Sequence, residues 1–152
     1  MSSLMLGPML TVPSEQVMDR LVWMTQENRG KEPVEVETHH LLHGGMYART
    51  ICIPNGHVVI GSRMRVPTVL MVHGVVDVLN GDTWMELTGP IILPGSAGRK
   101  QAFAARKGDV ILTMVMPTQA KTVEEAEVEM TDEAAGLLSR RQAANRTLRT
   151  GE

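Results

Sequence analysis

Between residues 33 and 117 the apolar positions come in short runs, and Gly, Pro or Asn interrupts them at close intervals. In VEVET (34–38) and YARTICI (47–53) apolar and polar residues alternate, the period-two signature of a strand with one sheltered face. HVVI (57–60), VPTVLMVH (66–73), VVDVL (75–79), TWMEL (83–87), PIIL (90–93), KQAFAA (100–105) and DVILTMVM (109–116) read as further strands. Asn80-Gly81 is the strongest hairpin signal, because both central residues of a type I′ turn need positive φ. Asn55-Gly56 and Lys107-Gly108-Asp109 mark further turns. Eight or nine short strands in about 85 residues predict a mainly β domain, a barrel or a double-sheet jelly roll.

On either side of this block the period becomes helical. Residues 1–32 open with an irregular tip. Val17, Met18, Leu21 and Met24 then recur at helical spacing, with Ser14 placed to cap the helix and Asn28-Arg29-Gly30 to end it. Residues 118–152 read as a C-terminal helical arm. TVEE (122–125) is a capping box, and Val123, Ala126 and Met130 mark one face. Thr131-Asp132 restarts or kinks the helix, and Leu137-Leu138 offer a second apolar contact. Acidic residues 124–133 precede Arg140, Arg141, Arg146 and Arg149, which suits the helix dipole. This predicts a solvated helix with a frayed tail, or else a polar arm that orders on a neighbouring subunit. No internal repeat or low-complexity tract is present.

A chain of 152 residues fits one domain and buries enough surface to fold without staples. Aromatics make up only 3% against 12 Met, so the core must be built from Val, Ile, Leu and Met. A net charge of −2 and four aromatic residues argue against general nucleic-acid binding. Cys52 is the only cysteine, so no internal disulfide forms, and its place between Ile51 and Ile53 reads as a sheltered strand thiol. The first residues lack a basic, apolar leader, and no apolar run approaches a membrane span of ~20 residues. The expectation is a soluble protein of the cytoplasm, with a virion as an alternative location.

The stretch from HGGMYARTICIPNG (43–56) to LPGSAGRKQAF (93–103) resembles the cupin superfamily. It looks most like small cupin-like proteins encoded by tailed bacteriophages and prophages. In those, a GxYAR…IPxG phrase opens the barrel and a P…(S/P)AGxK turn closes it. The resemblance implies a single cupin-like β-barrel over 33–117, between an N-terminal helix and the C-terminal arm. Fold does not dictate activity, since such barrels host enzymes, binding proteins and inert scaffolds.

Metal cupins carry G-x5-H-x-H-x3–4-E-x6-G, then G-x5-P-x-G-x2-H-x3-N. Counted from Gly56, the two histidines fall on Ser62 and Met64, or on Arg63 and Arg65. The glutamate falls on Pro67 and the last histidine on Gln101. Arg holds no free lone pair, Met suits soft ions and Gln is a weak ligand. The expectation is therefore no metal and no cofactor. His39, His40 and His43 are the alternative ligand set, with His57 or His73 as a third donor. In an extended segment His39, Leu41 and His43 share one face and His40 the other. The simpler reading has one histidine hydrogen-bonded at the barrel entrance and the others exposed.

Alternation also aligns Tyr47, Arg49, Ile51 and Ile53. If the isoleucines point inward, so does Arg49, and a buried guanidinium needs a partner: Asp77, Glu86 or an anionic ligand. Arg63 and Arg65 share a face of the next strand, while Arg99, Lys100 and Gln101 lie in the closing turn. Together with Tyr47 and Arg49 these residues are the candidate anion-binding set.

No nucleophile elbow, phosphate loop, dinucleotide fingerprint or H-E-x-x-H motif occurs. The leading expectation is a non-catalytic phage or prophage protein, a virion or assembly component. It would act through contacts with itself, as a homo-oligomer, and with other proteins. The alternatives are a small anionic-ligand binder and a metal-dependent enzyme using His39, His40 or His43.

Overall fold

The computed structural model describes residues 5–27, 35–141 and 145–151. Their order is β1 (Met5–Leu6), α1 (Glu15–Glu27), β2 (Thr38–His43), β3 (Met46–Ile53), β4 (His57–Ile60), β5 (Thr68–His73), β6 (Val75–Asn80), β7 (Thr83–Thr88), β8 (Ile91–Gly95), β9 (Ala102–Ala105) and β10 (Val110–Pro117). There follow α2 (Val123–Met130), a 3-10 turn (Ala134–Gly136), α3 (Leu138–Arg141) and β11 (Asn145–Thr150).

The described strands form a seven-stranded sheet, β1-β8-β5-β10-β3-β2-β11, and a four-stranded sheet, β4-β9-β6-β7. The pairing is nested. β3 pairs with β10, β4 with β9, β5 with β8 and β6 with β7, all antiparallel. That is one long hairpin bent at β6–β7 and wrapped on itself. The cross-pairs β5–β10 and β6–β9 close the wrap. This strand order is a jelly roll, so the predicted mainly β barrel is present.

Alternation decides which side chains enter the barrel. β10 turns Val110, Leu112, Met114 and Met116 inward. From the small sheet Val76, Val78, Leu87 and Phe103 join the same core as Leu70, Val72 and Leu93 of the large one. Cys52 faces outward between two inward isoleucines and is half-buried. Burial, then Asp109 and Glu37, push its thiol up, away from the reactive thiolate.

Two turns differ from expectation. Asn80 pairs with Thr83, so the loop between β6 and β7 is Gly81-Asp82, one residue later than predicted. Only Gly81 has positive φ, +59°, which is the II′ rather than the I′ pattern. The reason lies in Asn80, whose side chain pins the N-terminal segment: its Oδ1 accepts from Thr11 N at 2.8 Å and its Nδ2 donates to Met9 O at 3.0 Å. The I′ hairpin is Gly44-Gly45 instead, with φ of +55° and +78°, joining β2 to β3. All three clustered histidines thus lie within β2. Of the strand expected at 34–38, Val34 lies outside the described residues, and only Thr38 joins the ladder.

Ser14 caps α1, its Oγ accepting from Val17 N at 3.3 Å, and the helix buries Met18 and Leu21. Its expected end at Asn28-Arg29-Gly30 lies outside the described residues.

The C-terminal region departs furthest from expectation. Thr122 caps α2 through Glu125 N as predicted. The helix is not simply solvated, however: Glu127 is buried with Ala126 and Met130. Beyond α3 the described residues, 145–151, are not helical. The chain there forms β11, parallel to β2 from Asn145↔Thr38 to Thr150↔His43. The open backbone groups of β2 and the strand-favouring residues Thr147 and Thr150 account for this.

Candidate functional site

The histidines of β2 diverge as strand geometry requires. His39 and His43 are exposed, bonded to Glu37 Oε1 (2.7 Å) and Thr150 Oγ1 (2.9 Å). His40 is buried, 2.7 Å from the Tyr47 hydroxyl and 2.8 Å from Asn145 Oδ1. His57 is exposed beside the Asn55 carbonyl, and His73 is exposed at the end of β5. Among the described residues no group of three or more His, Cys, Asp or Glu could hold a metal ion.

His40 is one end of a partly buried relay. Arg49 NH1 donates to the Tyr47 oxygen (3.1 Å) and to Glu127 Oε2 (2.9 Å). Arg49 NH2 donates to Ser139 Oγ (2.9 Å), whose hydroxyl donates to Glu127 Oε2 (2.7 Å). Asn145 Oδ1 can only accept, so in the neutral ring Nε2 carries the proton and Nδ1 accepts from the Tyr47 hydroxyl. His40 Nε2 then donates to Asn145, whose amide donates to Ser139 O (2.8 Å). Burial is the largest influence on the His40 pKa and holds it below its ordinary value, which favours this neutral tautomer. Burial alone would raise the Glu127 carboxyl, but hydrogen bonds from Ser139, Arg140 and Arg49 and the Arg49 charge outweigh it and leave it low.

The inward Arg49 is confirmed, but its partner is Glu127, not Asp77 or Glu86. In β6 and β7 the inward positions belong to Val76, Val78 and Leu87, which turns Asp77 and Glu86 away from the core. They pair with Arg106 (3.2 Å) and Lys107 (2.9 Å). Glu127 also takes Arg140 Nε at 3.0 Å, so two cations share one carboxylate.

The closing turn supplies the other half of the site. Arg99, Lys100 and Gln101 are 4%, 0% and 1% exposed. Lys100 Nζ donates to Gly61 O (2.9 Å) and to Glu133 Oε2 (3.1 Å). Among the described residues Arg99 has no such carboxylate. Its NH1 donates to Gln101 Oε1 (2.6 Å), its NH2 to Thr68 Oγ1 (2.8 Å), and its buried Nε has no partner among the described residues. Burial lowers its pKa to about 10, which still leaves it charged at neutral pH. A side chain at Gly95 would collide with this guanidinium and with Thr68, so glycine is what lets Arg99 lie there.

These groups border a cavity of about 590 Å³ inside the barrel, closed on one side by α1. That lies within the ~300–1,000 Å³ of small-molecule sites. Its body is apolar, including Ile51, Leu70, Phe103, Leu112 and Met114. Among the described residues its charged lining comprises Arg49, Arg99, Lys100 and one carboxylate, Glu133, and its one imidazole is His57. Such a donor set does not fit a divalent cation.

No family model matches the sequence, and no curated protein matches it. Solved structures similar to this chain include a cupin superfamily protein from Desulfitobacterium hafniense, at 15% identity and a TM-score of 0.48 over 58% of this chain and 82% of that one. They also include an RmlC-like cupin with a double-stranded β-helix fold from Methanocaldococcus jannaschii, at 11% identity and a TM-score of 0.49 over 58% and 84%. KdgF from Halomonas sp. matches at 14% identity and a TM-score of 0.49 over 59% and 86%. The nested strand order is that of a jelly roll, the architecture to which cupin barrels also belong.

Within this barrel the predicted site residues divide. Arg49, Arg99, Lys100 and Gln101 line one cavity, with Tyr47 behind Arg49. Arg63 and Arg65 do not join them. The residues around them are not a strand but a bend, and both side chains are exposed, with Arg65 facing Asp132 at 3.4 Å. Sequence reasoning missed Glu127, Glu133, Ser139, Asn145 and Thr68. Two were signalled. Glu127 stands at i+4 from Val123 on the apolar stripe of α2, and Thr68 occupies the inward phase of β5 with Leu70 and Val72. Among the described residues no helix is long and apolar enough to cross a membrane.

Proposed function

We propose that the barrel is a non-catalytic binding site for a small anion with an apolar body, a carboxylate above all. One observation carries this reading: Arg99 is buried beside the cavity with its charge unmet by any described carboxylate. An unpaired buried charge is costly, and a carboxylate offers a guanidinium two matched acceptors. The apolar walls suit the rest of such a molecule. Glu127 meets Arg49 and Glu133 meets Lys100, so the excess positive charge bordering the cavity is that of Arg99.

The test is a thermal-shift panel of straight-chain and aromatic carboxylates, with phosphate and a neutral amide as controls. A ligand at a hundred times its dissociation constant adds ~2.7 kcal/mol, which raises the melting temperature by about 5–10 °C in a domain of this size. Carboxylates should produce the shift and amides should not, and Arg99→Met should abolish it. A panel with no response, or an Arg99→Met protein that responds like the wild type, refutes the reading.

A second reading is a phage virion or assembly component acting through protein contacts. The residue resemblance to phage-encoded cupin-like proteins supports it, as do exposed apolar residues such as Leu41, Val69, Ile111 and Leu148. Co-sedimentation with assembled particles tests it.

A further inference from the structure

The strand registers align one row of side chains across the large sheet. Leu148 pairs with Leu41, Leu41 with Ala48, Ala48 with Val115, Val115 with Val69, and Val69 with Pro94. All six are apolar, and all lie on the face turned away from the barrel. Leu148 is 59% exposed, Val69 46% and Leu41 37%.

The neighbouring rows continue the pattern. Met46, Cys52, Ile111, Met71 and Ile92 occupy other outward positions. Thr50 and Thr113 satisfy each other through a 2.9 Å hydrogen bond. No outward position of β3, β10, β5 or β8 carries Asp, Glu, Lys or Arg. Among the described residues, charged and imidazole groups stand at the rim: Glu37, His39, His43 and Arg146 along one edge, and Asp109 and His73 at one end. Antiparallel sheets that face water are normally polar on that side. This one has instead the anatomy of an interface, an apolar centre within a polar rim.

We infer that the outer face of the seven-stranded sheet is the seat of a second copy of this chain. The surface is self-complementary: a two-fold axis along the Leu148–Pro94 row stacks apolar residues on apolar residues and leaves the charged groups outside. Sheets pack face to face in this way at about 10 Å. Six long strands spaced by about 4.8 Å, each about 18 Å long, give a face of roughly 29 by 18 Å. Two such faces bury on the order of 1,000 Å², the size at which specific association begins. A charged partner would find no counter-charge at the centre of this face. The proposal does not depend on what the cavity binds.

Sedimentation velocity at micromolar concentration reads the outcome directly. The wild type should sediment at twice its chain mass of 16.7 kDa. Val69→Lys and Ile111→Lys, both at exposed positions, should raise the dissociation constant roughly 100-fold or more and yield folded monomers. Val58→Lys, on the small sheet and 54% exposed, should leave the dimer intact. Circular dichroism and a melting curve confirm folding, and the second lysine variant decides if the first fails to fold. A monomeric wild type overturns the proposal, as do lysine variants that remain dimeric, or a Val58→Lys protein that alone dissociates.

Discussion

The Glu127 carboxylate of α2 receives the Arg49 guanidinium of β3 at 2.9 Å, across 78 residues of sequence. Side-chain exposure is 2% for Glu127 and 12% for Arg49, and Arg140 approaches the same carboxylate. This contact fastens the C-terminal region to the barrel.

Glu127→Ala should therefore be strongly destabilising. It strands two cations, one of them, Arg49, with a side chain only 12% exposed. Removing one partner of a buried pair costs about 3–5 kcal/mol, and the partial exposure of Arg140 favours the lower figure. A urea midpoint measures the loss. Asp132→Asn, which breaks the exposed pair with Arg65, should change stability by less than ~1 kcal/mol. Equal effects from the two substitutions would contradict the assignment.

Stability should fall on mild acidification, through His40. Its folded pKa lies below the ordinary histidine value, so the unfolded chain binds the proton more readily. The contribution is complete above pH ~6.5 and is lost as pH drops toward the folded value. Glu127 adds a second loss below pH ~4.5, since its carboxyl is also held low. Melting temperature against pH should show the first loss in the wild type and not in His40→Gln. Identical slopes for the two proteins between pH 7 and 5 would rule His40 out.

Gly95→Ala should disturb the site from behind. Its new methyl group meets the Arg99 side chain and Thr68 Oγ1. Overpacking of this kind costs ~1–3 kcal/mol. The displaced guanidinium should also weaken the anion response, which a thermal-shift titration resolves from the stability loss. A variant as stable and as responsive as the wild type would show that Arg99 needs no glycine there.

Asn80→Ala should loosen the N-terminal segment rather than the hairpin. The hairpin keeps Gly81 at its positive-φ position, while Thr11 N and Met9 O lose their side-chain partner. About 1–2 kcal/mol and faster proteolysis near residues 9–12 are expected. Limited proteolysis with mass mapping checks it. Cleavage at 81–82 instead would indicate that the turn had failed.

Local physics made the barrel legible. Period-two runs place Val110, Leu112, Met114 and Met116 on one side, and the structure buries those four. The same phase put Arg49 inward. What local pattern could not supply was the far end of each contact. Nothing near Arg49 points to Glu127, and nothing near Lys100 points to Glu133, because those partners meet through tertiary closure. β11 was missed for a related reason. Its six residues are almost wholly exposed, so no buried face marked them as a strand; the open edge of β2 recruits them. Turn identity failed at Asn80, whose side chain serves a distant backbone.

The nested order of strands bears on how fast this chain reaches its native state. β3 meets β10 through Ile53↔Val110, and β4 meets β9 through His57↔Ala105, so only the β2–β3 and β6–β7 hairpins are local. Loops of some fifty residues must close before most of the core is rewarded, which places folding in the slow, millisecond-to-second regime of β sandwiches. The two glycine-bent hairpins are the natural places for that search to start.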